Sequence, residues 1–199
     1  MLLARVFVSD PVRPLILASA SPRRQQLLST LGFAFEVQPA NIDESPLPGE
    51  SAPKHVLRLA REKAAATQAD AVVLAADTIV VLEGQILGKP KDAEDASRML
   101  WSLSGSTHEV LTAIAVRDGA EEADWLSVST VRFRELSAAD VADYVATGEP
   151  LDKAGAYGIQ GGAARFVEHL DGSYTGIMGL PLCQTEQLLR QFGCLGSSR

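Results

Sequence analysis

The stretch Leu15-Ile16-Leu17-Ala18-Ser19-Ala20-Ser21-Pro22-Arg23-Arg24, running on through Gln25 to Leu31 and closed by Gly32, decides the fold. Leu15 to Ala18 is a short apolar run that reads as a strand. Ser21 is placed to cap a helix, Pro22 suits its first position, and Gly32 supplies a left-handed stop. Strand, turn and helix in that order, with Phe33 to Val37 following as a second strand, set an α/β plan that the rest of the chain extends.

Working outward, Val56, Leu59 and Ala60 recur at helical spacing within Lys54 to Gln68, and Lys63 falls on the same stripe, so a lysine is aimed inward. Ala71 to Leu82 is nearly continuous, β-branched and apolar, which predicts a buried strand interrupted only by Asp77 and Thr78. A helix opens at Asp92 and buries Ala96, Met99, Leu100 and Leu103 before Gly105. Thr107 to Val116 and Trp125 to Phe133 alternate as strands around Asp118 and Gly119 and are expected to pair as a hairpin. Ser137 caps a helix through Val145, Glu149 to Gly162 is rich in glycine, and Pro181 opens a last helix with the stripe Leu182, Thr185, Leu188, Leu189 and Phe192. Strands alternating with helices, plus a hairpin, predict a mixed α/β sheet, with no repeat, low-complexity tract or dividing linker.

The chain has 199 residues, 46% hydrophobic and 22% charged, enough to bury one sizeable core. No apolar run approaches the roughly 18 residues of a membrane span, so no membrane partner is expected and a cytoplasmic location follows by elimination. A net charge of −7 argues against a nucleic-acid surface, because long polyanions are held by stripes of excess Lys and Arg. A small phosphorylated ligand needs only local charge, which is present in Arg23, Arg24, Lys63, Lys89 and Lys153; Arg58, Arg61 and Lys91 read as solvated ends. Cys183 and Cys194 fit neither a redox pair nor a zinc knuckle, and His55, His108 and His169 match no zinc spacing.

Four groups of residues carry candidate chemistry. In Ser19 to Arg24 a strand end feeds a helix start through small residues, presenting backbone N–H groups and the positive end of a helix dipole, for which phosphate is the natural occupant. Taken alone the segment equally fits a capped helix with two exposed arginines. Asp77, embedded in an apolar strand, would lose on the order of several kcal/mol of hydration unless a cation or donors compensate it; the other reading turns it to solvent, and both place it at a strand terminus, where α/β sheets hold ligands. Lys63 and Lys89, the latter in the turn Leu87-Gly88-Lys89-Pro90, can reach a phosphate chain as point charges, against a snorkelling stem for the first and a solvated turn for the second. Asp43 and Glu44 offer a further oxygen ligand, and oxygen ligands favour Mg²⁺ or Mn²⁺. In Asp152 to Gly162 the glycines let backbone approach a flat ligand, and Gln160 presents one donor beside one acceptor, an edge that complements a pyrimidine imide. A flexible connection with Gln160 in water is the alternative.

Six of these segments, in order, resemble the Maf family: Leu15 to Arg24, Arg61-Glu62-Lys63-Ala64, Ala76-Asp77-Thr78, Gly88-Lys89-Pro90, Gly155 to Gly161 and Gly179-Leu180-Pro181. The resemblance spans roughly residues 15 to 193, leaving 1–14 as an extension and 194–199 as a tail, and departs at Ala75, where the family often has glycine. It implies a mixed twisted sheet flanked by helices, in an elongated, two-lobed single α/β domain with a central cleft, the Maf/Ham1-like plan. It further implies a homodimer that hydrolyses dTTP and UTP, and possible modified pyrimidine nucleotides, to the monophosphate and pyrophosphate with a divalent metal. Read from the residues, Asp77 serves either as the base or as a metal ligand with Glu44 near it; by the same resemblance Asp77 is the proton acceptor and Glu44 matches an active-site position. Arg23, Thr78 and Gln160 govern substrate choice, and Ser19, Ser21, Arg24, Lys63 and Lys89 hold phosphates. A 7-methyl-GTP-preferring branch resembles the chain less, since it lacks the adjacent arginines and the Tyr-Gly-Ile-Gln stretch. A non-catalytic nucleotide-binding regulator of cell division is the rival from another class.

Overall fold

The computed structural model describes residues 13–194, so the expected extension and tail lie outside the described residues except for 13, 14 and 194. Leu15–Leu17 forms β1, and Pro22–Thr30 forms α1 with Ser21 as N-cap and Pro22 in its first turn. The second strand is shorter than the apolar run from Phe33 suggests: only Glu36–Val37 pair as β2, while Phe33 is buried in the core. Ala52–Ala66 is α2, Val72–Leu82 is β3, Gln85–Leu87 is β4 and Ala93–Leu103 is α3. The expected hairpin is Thr107–Asp118 (β5) with Glu121–Phe133 (β6), longer at the turn than its apolar alternation because Asp118 and Glu121 still pair. Ala138–Ala146 (α4), Val167–Asp171 (β7), Tyr174–Ile177 (α5) and Leu182–Gln191 (α6) complete the chain. The glycine-rich segment is not plain coil but three short 3-10 turns, Glu149–Asp152, Ala154–Ala156 and Gly162–Phe166.

These strands make one open, mixed, seven-stranded sheet in the order β2-β1-β3-β5-β6-β7, with β4 on β3. β1 runs parallel to β2 and β3, and the remaining pairs are antiparallel. Alternation along β3 assigns each residue to a face. Val73, Ala75, Ile79 and Val81 pack with Val56, Ala60 and Ala64 of α2, whereas Val72, Leu74, Ala76 and Val80 join the larger core with Leu28 of α1, Leu100 of α3, Tyr144 of α4 and Leu189 of α6. Each fully buried Val or Leu in these layers contributes about 1.5–3 kcal/mol relative to exposure, and this burial fixes α2 against the sheet.

The feature that positions a site is an interruption on one edge of β3. β1 pairs with Val72 to Leu74 and the Ala18 N–H still reaches the Leu74 carbonyl at 2.8 Å, while β4 pairs only from Val80 to Leu82. Between them Asp77 and Thr78 have a strand, β5, on the other edge alone. Asp77 therefore sits in mid-strand, which corrects its expected place at a strand terminus. What ends beside it is its short parallel neighbour, so ligand access arises although β3 continues. Among the described residues no helix is long and apolar enough to cross a membrane.

Candidate active site

Strand alternation sends Asp77 toward α2 and Thr78 toward α1, and the interruption lets both line one cleft of about 990 Å³. That volume lies at the upper end of the range of about 300–1,000 Å³ usual for small-ligand sites. All ten candidate residues line it: Ser19, Ser21, Arg23, Arg24, Glu44, Lys63, Asp77, Thr78, Lys89 and Gln160.

The inward stripe of α2 delivers Lys63, which is buried and does not snorkel. Its Nζ donates to Asp77 Oδ1 at 2.7 Å and lies 2.6 Å from Glu44 Oε1, so the compensation that a buried Asp77 requires comes from the protein's own lysine. Asp77 Oδ2 has no hydrogen-bond partner among the described residues and is not sealed from solvent. Glu44 arrives on the loop before α2. Partial burial opposes its charge, but the Lys63 hydrogen bond and the charges of Lys63, Lys89 and Arg24 outweigh this and hold its carboxyl below the usual range. The same loop is anchored by Glu50, which accepts from Arg58 Nε at 2.7 Å and contacts His55 Nδ1 at 3.0 Å. Those Arg58 bonds draw the Glu50 carboxyl down to about 2 despite desolvation, so Arg58 is not a merely solvated helix residue. Asp43 is exposed and accepts from the Ser45 N–H, a turn role.

Arg24 spreads its guanidinium over neutral oxygens, donating to Gly179 O at 2.9 Å, Thr78 Oγ1 at 3.0 Å and Ser19 Oγ at 3.2 Å. Burial pulls its pKa below the ordinary value, Asp77 and Glu44 pull it back up, and the neighbouring Arg23 charge lowers it; a guanidinium remains cationic throughout. No carboxylate lies within ion-pair distance of it among the described residues, so this cation is fixed in place yet not neutralised by contact. Gly179, at φ +113, leaves room for it: a Cβ there would come within 3.3 Å of Arg24 Nε. Ser21 accepts from the Arg24 N–H, so the cap and the arginine form one unit.

The remaining candidates are more open. Arg23 lies 3.6 Å from Asp152, Lys89 is an exposed turn lysine, and exposed Gln160 makes no side-chain hydrogen bond to another described residue. Lys153 Nζ is taken up by Glu149 O and Asp152 Oδ1. Sequence reasoning missed three residues that shape the site. Thr112 bonds Thr78 Oγ1 at 2.9 Å and donates to Gly176 O at 2.7 Å, and Glu149 and Tyr144 hold the glycine segment. A threonine facing inward from β5 was a visible signal; Tyr144 reads as a core residue of α4, and nothing local marks its partner. Cys183 and Cys194 are both free thiols.

Oxygen donors set the metal question. Asp77 and Glu44, from separate elements, converge within bonding distance of a single atom, Lys63 Nζ. No group of three His, Cys, Asp or Glu side chains among the described residues forms a metal cage. Two converging carboxylates fit Mg²⁺ or Mn²⁺, which keep waters and take further ligands from a phosphorylated substrate, and fit zinc poorly.

An open α/β sheet whose interrupted edge opens into a cleft with fixed cations defines the class: α/β proteins with an anion-accepting site. The chain belongs to the Maf family, whose profile, described as Maf-like protein, matches residues 14–192. It is 56% identical over 184 residues to a protein from an Anaeromyxobacter species named dTTP/UTP pyrophosphatase, covering 90% of this chain and 89% of that one. Proteins of the same name from Salmonella typhimurium and Escherichia coli are 54% and 53% identical over 189 residues, each covering 93% of this chain and 96% of its relative. The solved Staphylococcus aureus Ham1 protein aligns over 61% of this chain and 72% of its own, at 13% identity and a TM-score of 0.44.

Proposed function

We propose that the protein hydrolyses pyrimidine nucleoside triphosphates, dTTP and UTP first, to the monophosphate and pyrophosphate. The observation that carries the reading is the meeting of Glu44 and Asp77 on Lys63 inside the cleft that also holds the Ser19–Arg24 turn. The names of relatives more than half identical supply the substrate class.

In this mechanism the positive end of α1, Arg24 and the point charges of Lys89 and Lys63 receive the triphosphate oxygens. Asp77 and Glu44 would hold a Mg²⁺ or Mn²⁺ ion, which supplies charge neutralisation at phosphate and a more acidic water. Lys63 keeps Asp77 turned through Oδ1, leaving Oδ2 to take the proton of the attacking water. The new P–O bond forms at the α-phosphorus, and the bond to the pyrophosphate oxygen breaks. Arg23, Thr78 and Gln160 set substrate choice, with the Gln160 amide facing the imide edge of the base.

The decisive assay couples inorganic pyrophosphatase to phosphate detection across canonical nucleotides, modified uridine nucleotides and 7-methyl-GTP, with Mg²⁺ or Mn²⁺. Highest turnover on dTTP and UTP is expected. UTP binding without pyrophosphate release would establish a nucleotide sensor instead, and highest turnover on 7-methyl-GTP would move the chain to the other branch. A folded Asp77→Asn protein with near-wild-type dTTP hydrolysis would refute the role given to Asp77. We place the activity in a cytoplasmic homodimer. Light scattering at twice the chain mass is the expected result.

A further inference from the structure

The segment around Gln160 contains Gly158, Gly161 and Gly162, and backbone conformation does not explain them, because none of the three has a positive φ. Their neighbours do. A Cβ on Gly161 would overlap the Glu149 carboxylate, one on Gly158 would come within 2.7 Å of the Lys153 stem, and one on Gly162 within 3.2 Å of the Tyr144 ring. The space beside the loop is filled by a carboxylate and a phenol that also bond to it. Glu149 Oε2 accepts from the Gly162 N–H at 3.0 Å, and Glu149 Oε1 accepts from the Tyr144 hydroxyl at 3.0 Å. Tyr144 Oη in turn accepts from the Gly158 N–H at 3.0 Å.

Both ends of the turn Gly158–Gly162 are thus tied to one buried phenol and its carboxylate, while Gln160, between them, stands exposed in the cleft. Burial pushes the Tyr144 phenol well above its ordinary pKa, so it stays a neutral donor. With both of its oxygens engaged by donors, Glu149 is a brace for the loop, although its side chain lines the same cleft as Asp77.

We propose that Glu149 and Tyr144 are positioning residues for base recognition, holding the backbone from Gly158 to Gly162 so that the Gln160 amide meets the imide edge of a pyrimidine ring. This rests on the pyrimidine nucleotide reading above. A loop ordered before binding spares the ligand the entropy of ordering it, so the brace acts on affinity and base preference, not on bond cleavage.

The test compares wild type, Tyr144→Phe, Glu149→Gln, Glu149→Ala and Gln160→Ala, measuring kcat and KM for dTTP and dCTP and equilibrium Kd for both nucleotides. Losing one loop hydrogen bond is expected to raise the dTTP KM and Kd about fivefold and to shrink the preference over dCTP by a similar factor, with kcat within about twofold. Tyr144→Phe added to Gln160→Ala should cost little beyond Gln160→Ala alone. Gly161→Ala should be harmful in the wild type and nearly silent beside Glu149→Ala, where its Cβ has room. Equal losses of kcat on both nucleotides with unchanged preference, or full additivity with Gln160→Ala, would overturn the proposal. Isosteric Glu149→Gln keeps the test open if the alanine variant fails to fold. Wild type that binds dTTP but releases no pyrophosphate overturns the enzymatic reading, while the Kd series still decides on the brace; wild type that binds neither nucleotide overturns both.

Discussion

In one part of the cleft the charged groups stand mainly on regular elements, Arg24 on α1, Lys63 on α2 and Asp77 on β3, with Glu44 brought to them by the loop before α2. In the other part, from Glu149 to Gly162, the chain is a succession of 3-10 turns whose shape is set by side chains from elsewhere, Tyr144 of α4 and Val80 of β3 among them. Groups that must meet phosphate gain from placement by helix and strand, because their positions then move only with the core. A loop that must match one face of a base gains from being shaped by a few local bonds, which can change without disturbing the sheet. Substitutions in the first part should therefore lower turnover on every substrate, and those in the second should change which substrate is preferred.

The largest effect is expected from Lys63→Met. It leaves buried Asp77 without its cation and frees Glu44, and breaking a buried pair from one side costs about 3–5 kcal/mol. Urea denaturation should show that loss, and dTTP turnover should fall by at least about a hundredfold, the scale of a lost acid–base group. Combining Lys63→Met with Asp77→Asn should recover part of the stability and none of the activity. Recovery of activity would mean that Asp77 serves the fold alone.

How far each part could be read from sequence follows the same division. The helical stripe Val56, Leu59, Ala60 was enough to aim Lys63 inward, and Leu15 to Gly32 carried its strand, cap and stop in local residue chemistry. Asp77 as a buried carboxylate was visible, but not its place in mid-strand, because that depends on β1 ending early and on β4, three residues from a turn, resuming the pairing. β7 was missed for a related reason: Val167–Asp171 carries only two apolar residues, and its pairing comes from β6. Arg24 and Gly179 lie 155 positions apart, and no local pattern announces such a bond. Tyr144 and Glu149 are close in sequence, yet their joint target appears only when the glycine turns have folded.

A pH dependence tests the buried frame beneath the second part. His108 Nε2 lies 2.8 Å from the Tyr157 hydroxyl, and desolvation drops its pKa to about 4. Because the folded value is depressed below the ordinary one of about 6.5, the unfolded chain binds more protons between those values, so stability is present above about pH 6.5 and is lost as pH falls toward about 4. At about 1.4 kcal/mol per unit this amounts to about 3 kcal/mol. Denaturation midpoints of wild type and His108→Gln should differ in slope across that window, and parallel curves would remove His108 as the cause.

Arg24→Lys is expected to have a smaller effect on stability but a uniform one on substrates. Lysine keeps the charge and gives up the fork that joins Gly179 O, Thr78 Oγ1 and Ser19 Oγ, so about 1.5–3 kcal/mol of transition-state stabilisation should vanish equally from dTTP, UTP and dCTP. A change confined to one base would break the division between the two parts, since Arg24 belongs to the phosphate side.

The smallest expected effect concerns the contact that joins them. Arg23 on α1 lies 3.6 Å from Asp152, whose side chain is 68% exposed and also accepts from Lys153 at 2.6 Å. An exposed pair of this kind holds little folding energy, so Asp152→Asn should leave the melting temperature almost unchanged. It would remove a negative charge from the cleft and release Arg23 toward an incoming triphosphate. KM for dTTP and UTP should then fall by about twofold at low ionic strength, with the gain fading as salt screens the exposed charges. Because Arg23 acts with Gln160 in substrate choice, the change for dTTP and UTP should not be matched by dCTP; an equal response on all three would place Arg23 with the phosphate-facing groups and shift the boundary between the two parts by one residue.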